Sequence, residues 1–70
     1  MTVGAYRVYV YREKGVRRHA IHCHVYWPDG SCVVDIDTME LLAGADDARA
    51  RQIVRDYLDA IVAKWNEVNS

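Results

Sequence analysis

HAIHCHVYWPDGSCVVDID, residues 19–37, consists of two alternating runs joined by one turn signal. Before the turn, Ile21, Cys23, Val25 and Trp27 fall on one face, and His22, His24 and Tyr26 on the other. After it, Cys32, Val34 and Ile36 form the inward set, and Val33, Asp35 and Asp37 the outward set. Pro28-Asp29-Gly30 lies between them; proline presets its own φ and glycine accepts a positive φ. Together these features predict an antiparallel hairpin. Matching the apolar faces sets Val25 opposite Val34 and Cys23 opposite Ile36. The outer face then pairs His24 with Asp35 and His22 with Asp37. A three-residue loop with a bulged glycine would favour a slip of one residue. Such a slip mixes core and surface at every pair, so burial along the whole strand outweighs the turn preference.

The rest of the chain extends this hairpin. AYRVYVYR, residues 5–12, is rich in aromatic and β-branched residues and reads as a strand. Tyr6, Val8 and Val10 share its inner face, and Arg7, Tyr9 and Tyr11 its outer face. Residues 13–18 form a charged connection with Gly15 as the turn residue. Residues 20–27 and 31–37 are the second and third strands, and residues 39–43 fit a short fourth. From Asp46 the period changes. Ala50, Ile53, Val54, Tyr57, Leu58, Ile61, Val62, Trp65 and Val68 recur at spacings of three and four, which is one apolar helical stripe. Gly44 breaks the preceding pattern, and Asp46 and Asp47 stand where a cap and first-turn acids help a helix. The reading is an α+β domain spanning residues 1–70. It has a three- or four-stranded antiparallel β-meander and one long C-terminal α-helix over residues 46–68, packed on one sheet face.

Seventy residues make one domain, and one core leaves one sheet face uncovered. Half the side chains are apolar (51%), which is a globular composition. A net charge of −1 gives no global pull toward nucleic acid or an anionic membrane. The charge is nevertheless segregated along the chain. Residues 1–19 set Arg7, Arg12, Lys14, Arg17 and Arg18 against Glu13 alone. Residues 29–47 carry Asp29, Asp35, Asp37, Glu40, Asp46 and Asp47 without a base. The chain shows neither a signal peptide nor a long apolar run, so a cytoplasmic protein without a membrane span is expected. Two cysteines are too few for a disulfide scaffold and fit a reducing compartment.

The three histidines, two cysteines and two aspartates of the opening stretch resemble the inventory of a metal or catalytic site. Strand alternation argues against both. His22, His24 and one aspartate could supply three ligands, but Cys23 and Cys32 point to the other face, and the spacing matches no common structural zinc pattern. No metal or other cofactor is expected. Catalysis needs a cleft that holds a nucleophile or water-activating pair in geometry, and a sheet with one helix offers little of one. The histidines therefore read first as cross-strand pairs, the cysteines as small apolar core residues, Trp65 as a core anchor, and Arg49, Arg51 and Arg55 as a solvated helix face. The surface that stands out is the open sheet face: Arg7, Tyr9, Tyr11, His22, His24, Tyr26 and Val33. Tyrosine and arginine are enriched at the energetic centres of protein interfaces, and an exposed aromatic patch of this kind usually has a partner.

HCHVYWPDG (residues 22–30), VDIDTMELLAG (34–44) and VAKWNEV (62–68) occur in an order that resembles a bacterial family known only as domain of unknown function 4160. The likeness spans residues 19–69. Ala20 and Ile21 stand where that family usually has prolines before its His-x-His. The resemblance implies a compact sheet-plus-helix protein, often encoded beside another small protein in a toxin–antitoxin-like arrangement, and it carries no catalytic residues over. Small proteins of this build also occur among inhibitors carried by mobile elements, such as anti-CRISPR proteins. The expectation is a non-enzymatic module that binds a protein partner, or a second copy of itself, through Arg7, Tyr9, Tyr11, His22, His24, Tyr26 and Val33. The alternatives are a small RNA-cleaving toxin using His22, His24, Tyr26 and Arg7, or a nucleic-acid binder using the basic first strand.

Overall fold

Pro28 and Asp29 alone form the turn of the central hairpin. Trp27 pairs directly with Gly30, so the loop is two residues long and Gly30 belongs to the strand. This appears in a computed structural model that describes residues 1–12 and 21–69. Five strands run in chain order: β1 (Thr2–Val3), β2 (Tyr6–Tyr9), β3 (His22–Trp27), β4 (Gly30–Asp35) and β5 (Leu41–Gly44). Two helices follow, α1 (Ala48–Asp56) and α2 (Leu58–Asn69). All strand pairs are antiparallel neighbours in sequence, giving a β1-β2-β3-β4-β5 meander. The α+β architecture is as read from the sequence, with one more strand and a divided helix. The connection with a turn at Gly15, the start of the second strand at Ala20, and His19 lie outside the described residues.

The register differs from the expected one by two residues. Val25 faces Cys32 and Cys23 faces Val34, so His24 faces Val33 and His22 faces Asp35. The expected His24–Asp35 and His22–Asp37 pairs do not form. The physical reason is the tighter turn. A shift of two preserves the alternation of faces, whereas a shift of one would have destroyed it. Burial was therefore satisfied by two registers, and the turn selected between them.

Asp35 was expected to point outward. It is only 9% exposed. Its Oδ1 accepts the backbone N–H groups of Asp37 (2.7 Å) and Thr38 (2.9 Å), which folds the chain around the carboxylate. β4 therefore ends at Asp35, and Asp37 sits exposed in the following turn. The backbone closes that turn through Met39 N–H to the Asp35 carbonyl and Asp35 N–H to the Glu40 carbonyl, both 2.8 Å. Met39 takes a left-handed φ of 68°, a conformation that costs a non-glycine residue about 1–2 kcal/mol. The turn's hydrogen bonds and Met39's packing against the core offset it.

The core lies between the inner sheet face and the helices. Val8, Cys23, Val25, Cys32, Val34 and Ile36 pack against Ala50, Ile53, Val54 and Ile61. Full burial of each Val or Ile contributes about 1.5–3 kcal/mol. Asp47 caps α1, its Oδ2 accepting the Ala50 N–H at 2.9 Å. The single long helix expected over residues 46–68 is interrupted at Tyr57, whose φ and ψ of −111° and 23° leave the helical region. Bonds from Tyr57 N–H to Ile53 and from Ile61 N–H to Tyr57, each 3.0 Å, still bridge the interruption. Tyr57 was assigned to the apolar stripe but is exposed. No glycine or proline marks the break, so the sequence carries no local signal for it.

Gly44 does more than end a pattern. It is the last residue of β5, pairs with Cys32, and has a φ of 86°. A Cβ there would lie 2.4 Å from the Ser31 carbonyl oxygen and 2.7 Å from Cys32 Cα, both backbone atoms that cannot move aside independently. Gly44→Ala is therefore expected to destabilise the fold by at least about 2 kcal/mol, from left-handed strain plus displacement of β4. Urea unfolding followed by circular dichroism measures this; an unchanged midpoint would contradict the strand pairing at Gly44.

Candidate functional site

The register brings the seven sequence-assigned surface residues onto one sheet face. Arg7 sits opposite Tyr26, Tyr9 opposite His24, and His24 opposite Val33. His22 and Tyr26 flank His24 along β3 with the same parity. Tyr11 lies beyond the last residue of β2, yet its ring is 4.8 Å from His24 and 6.1 Å from Tyr9. With strands about 4.8 Å apart, the group covers about 10 Å across β2, β3 and β4.

The rings form a connected row rather than a scatter. Tyr9 meets Tyr26 edge-on at 5.7 Å, and His24 stacks with Tyr26 at 6.4 Å. His22 meets His24 edge-on at 5.3 Å. Such ring pairs add about 0.5–1.5 kcal/mol beyond area burial, so they hold one another in place. Tyr9, Tyr11 and Tyr26 stay 42%, 43% and 37% exposed. His22, His24 and Val33 are half-buried, and Arg7 is exposed. The Tyr11 and Tyr26 hydroxyls lie 3.4 Å apart. That contact, with some burial and the nearby phenols, raises the Tyr11 pKa above its usual value of 10.0. The Tyr11 phenol therefore remains a neutral hydrogen-bonding group at physiological pH.

Trp65 is the member of this row that strand alternation could not reveal. It was assigned as a core anchor. It is half-buried, packs partly against the core, and places its ring 5.2 Å from His22. Nearby, Asn69 Nδ2 donates to the Tyr11 carbonyl at 3.2 Å. The end of α2 thus meets the aromatic row at its His22 end. The meeting of Trp65 with His22 is a tertiary consequence of where α2 crosses the sheet, and neither residue's local pattern encodes it.

The cysteines belong to the other face. Both are free and buried. Burial pushes the Cys23 thiol up to about 12, with a smaller contribution from Cys32, and burial also raises Cys32. Both are neutral core groups at physiological pH. Asp35, opposite His22, commits its Oδ1 to the turn N–H groups. Among the described residues, no three His, Cys, Asp or Glu side chains are grouped to hold a metal ion. What the face offers is flat aromatic surface, phenolic hydroxyls and the Arg7 guanidinium. Arg51, assigned to a solvated helix face with Arg49 and Arg55, instead rests its Nε 3.5 Å from Asp46 Oδ1 and is half-buried.

At the turn end of the sheet, β2 is fastened to the helix. The Tyr6 hydroxyl donates to Asp47 Oδ2 at 2.8 Å, the same oxygen that caps α1. The Tyr6 ring lies 5.5 Å from Trp27.

Residues 5–66 match the family described as Domain of unknown function (DUF4160), and the chain belongs to that family. No curated protein and no solved structure matches the chain. Among the described residues, no helix is long and apolar enough to cross a membrane.

The hydrogen bond to the Asp47 carboxylate is the main reason the Tyr6 pKa rises, with burial and the Asp47 charge adding to it. A phenol whose folded-state pKa is raised contributes stability that is complete below its unfolded value. That contribution is lost as pH climbs through the folded value. Wild-type protein is therefore expected to lose stability above about pH 10, and Tyr6→Phe to lose less over the same range. Thermal melts from pH 8 to 11 on both proteins check this. Parallel losses would contradict the Tyr6–Asp47 bond.

Proposed function

We propose that this member of the family works by binding a protein partner through its aromatic sheet face, without catalysing a reaction. Its setting is a toxin–antitoxin-like pair or a mobile-element inhibitor of the anti-CRISPR type, acting in the cytoplasm. One observation carries the reading: the Tyr9 ring contacts those of Tyr11 and Tyr26, the Tyr11 and Tyr26 hydroxyls meet, and all three side chains remain exposed. A small fold gains most by burying aromatic rings, since each brings 150–250 Å² of area. Three that are held in a fixed array and left in water fit the centre of an interface. Tyrosine also loses few rotatable bonds on binding, and pre-ordering by neighbouring rings reduces that cost further.

The composition of the face favours protein over nucleic acid. Arg7 and Arg12 are its nearby described cations, and the chain's net charge is −1. Binding to a nucleic-acid backbone relies on many phosphate contacts made along a basic track. The partner to test first is the protein encoded beside this one, with self-association measured in parallel.

Tyr9→Glu combined with Tyr26→Glu is expected to keep the folded circular dichroism spectrum, because both side chains point away from the core, while the lost ring pairs lower the melting temperature. The double change is expected to weaken partner binding or self-association by at least about 2 kcal/mol, about 30-fold. Calorimetry with the partner and sedimentation of the protein alone give the two numbers. A folded double mutant that binds normally would overturn the proposal. Growth arrest on expressing the chain alone, relieved by His22→Ala, would instead support an RNA-cleaving toxin.

A further inference from the structure

We infer that the open edge just past β2, at Val10, takes an added strand from a partner protein, and that one aliphatic side chain of that strand sits in the groove between β2 and α2. The site goes beyond the aromatic row proposed above and shares only Tyr9 with it. The groove is about 310 Å³. Val8 and Val10 form its strand side, and Ala60, Ile61 and Lys64 its helix side. Met1 lies at its Val8 end.

Four observations specify the occupant. The first is a free backbone pair. Val8 gives its N–H and C=O to Met1, each at 2.8 Å, while Tyr9 pairs with His24 on the opposite side. Polar groups alternate along extended backbone, so those of Val10 turn back to the Met1 side. Met1 does not reach them: among the described residues, neither the N–H nor the C=O of Val10 has a hydrogen-bond partner. A donor and an acceptor left open on a sheet edge are a template for another strand. The second is parity. Residues directly opposite in a ladder put their side chains on the same face. Val10 packs on the core side, so the residue paired with it points into the groove. The floor there is core, with Val8 3% and Ile61 1% exposed. The third is charge. Both cations at the groove are engaged, Met1 with the Val8 carbonyl and Lys64 with Glu67 at 3.4 Å, so an uncharged strand is the complement. The fourth excludes a second copy. Two-fold pairing of two Val10 residues would set Arg12 of one copy opposite Val8 of the other, the place that Met1 holds. An N–H, a C=O and one aliphatic side chain together describe an extended segment of a partner, added to the sheet edge with its side chain in a pocket.

The test uses the full chain with uniform ¹⁵N labelling and amide hydrogen exchange read residue by residue. The probes are the blocked pentapeptide acetyl-Thr-Val-Thr-Leu-Thr-amide, its counterpart with threonine in place of leucine, and its counterpart N-methylated at leucine. In the free protein the Val10 amide is expected to exchange at least tenfold faster than that of Tyr9. The leucine peptide is expected to shift the Val10, Ala60 and Ile61 amides and, at saturation, to slow Val10 exchange at least tenfold. Both counterparts are expected to bind at least tenfold more weakly, a comparison that leaves the protein unaltered. Ala60→Phe fills the groove from an exposed helix position and should lose the leucine peptide at least tenfold. Equal binding of the three peptides, shifts confined to Tyr11, His24 and Tyr26, or a Val10 amide already slow in the free protein would overturn the inference. Protection of Val10 that grows with protein concentration would give the edge to a second copy and overturn it too. With the cognate partner, Ala60→Phe is compared with Tyr11→Glu/Tyr26→Glu, neither of which lines the groove. Loss in the tyrosine variant alone refutes the groove and leaves the aromatic row standing. Loss in Ala60→Phe alone supports the groove and refutes the row.

Discussion

Everything on either side of this sheet depends on the length of one turn. Pro28 and Asp29 close the β3–β4 hairpin in two residues, and the pairing of Trp27 with Gly30 propagates along six residue pairs. Because side chains alternate, an even shift of register keeps Cys23, Val25, Cys32 and Val34 in the core, and an odd shift would expel them. The same parity collects His22, His24, Tyr26 and Val33 on the opposite face. Core and candidate site are thus two consequences of one constraint. An odd shift would lose both, and an even one keeps both while changing which residues pair.

The helices convert that two-faced sheet into a one-sided core. α1 and α2 bury the inner face, and the Tyr6–Asp47 bond joins the second strand to the cap of the first helix. The outer face keeps its tyrosines in water. A chain of 70 residues has little stability to spare, so exposed aromatic surface that ring contacts nonetheless hold in order is consistent with a surface shaped for a partner. At one end, the row meets Trp65 from α2. At the other, the exposed Arg7 stands opposite Tyr26. The two ends differ in chemistry, which gives the face a direction along which a partner could be oriented.

Much of this was legible in the sequence, and what was not has physical causes. Alternation placed Arg7, Tyr9, Tyr11, His22, His24, Tyr26 and Val33 on one face, because a period of two is local information. Asp47 was readable as a cap for the same reason. The exact partners across the hairpin were not readable, because two registers bury the same residues and a Pro-Asp-Gly string fits both a two- and a three-residue loop. Asp35 was misplaced because its carboxylate serves the backbone of the next turn, a role that strand parity does not describe. β1 was too short to leave a pattern. The break at Tyr57 has no glycine or proline to announce it. The Trp65–His22 contact arises from the crossing of distant elements.

The central claim is the register set by the two-residue turn, and cross-strand nuclear Overhauser effects test it most directly. Val8 exchanges both backbone bonds with Met1 (2.8 Å each way), so Val8–Val25 is a close pair without hydrogen bonds, Val25 turns its bonds toward Cys32, and by alternation His24–Val33 is a close pair as well. Strong Hα–Hα effects are therefore predicted between His24 and Val33 and between Tyr26 and Ser31. An effect between His24 and Asp35 in their place would shift the register by two residues and the turn by one, and would contradict the pairing of Trp27 with Gly30. One between His24 and Ser31 or between His24 and Val34 would contradict the account as well, the latter by turning the outer face into the core.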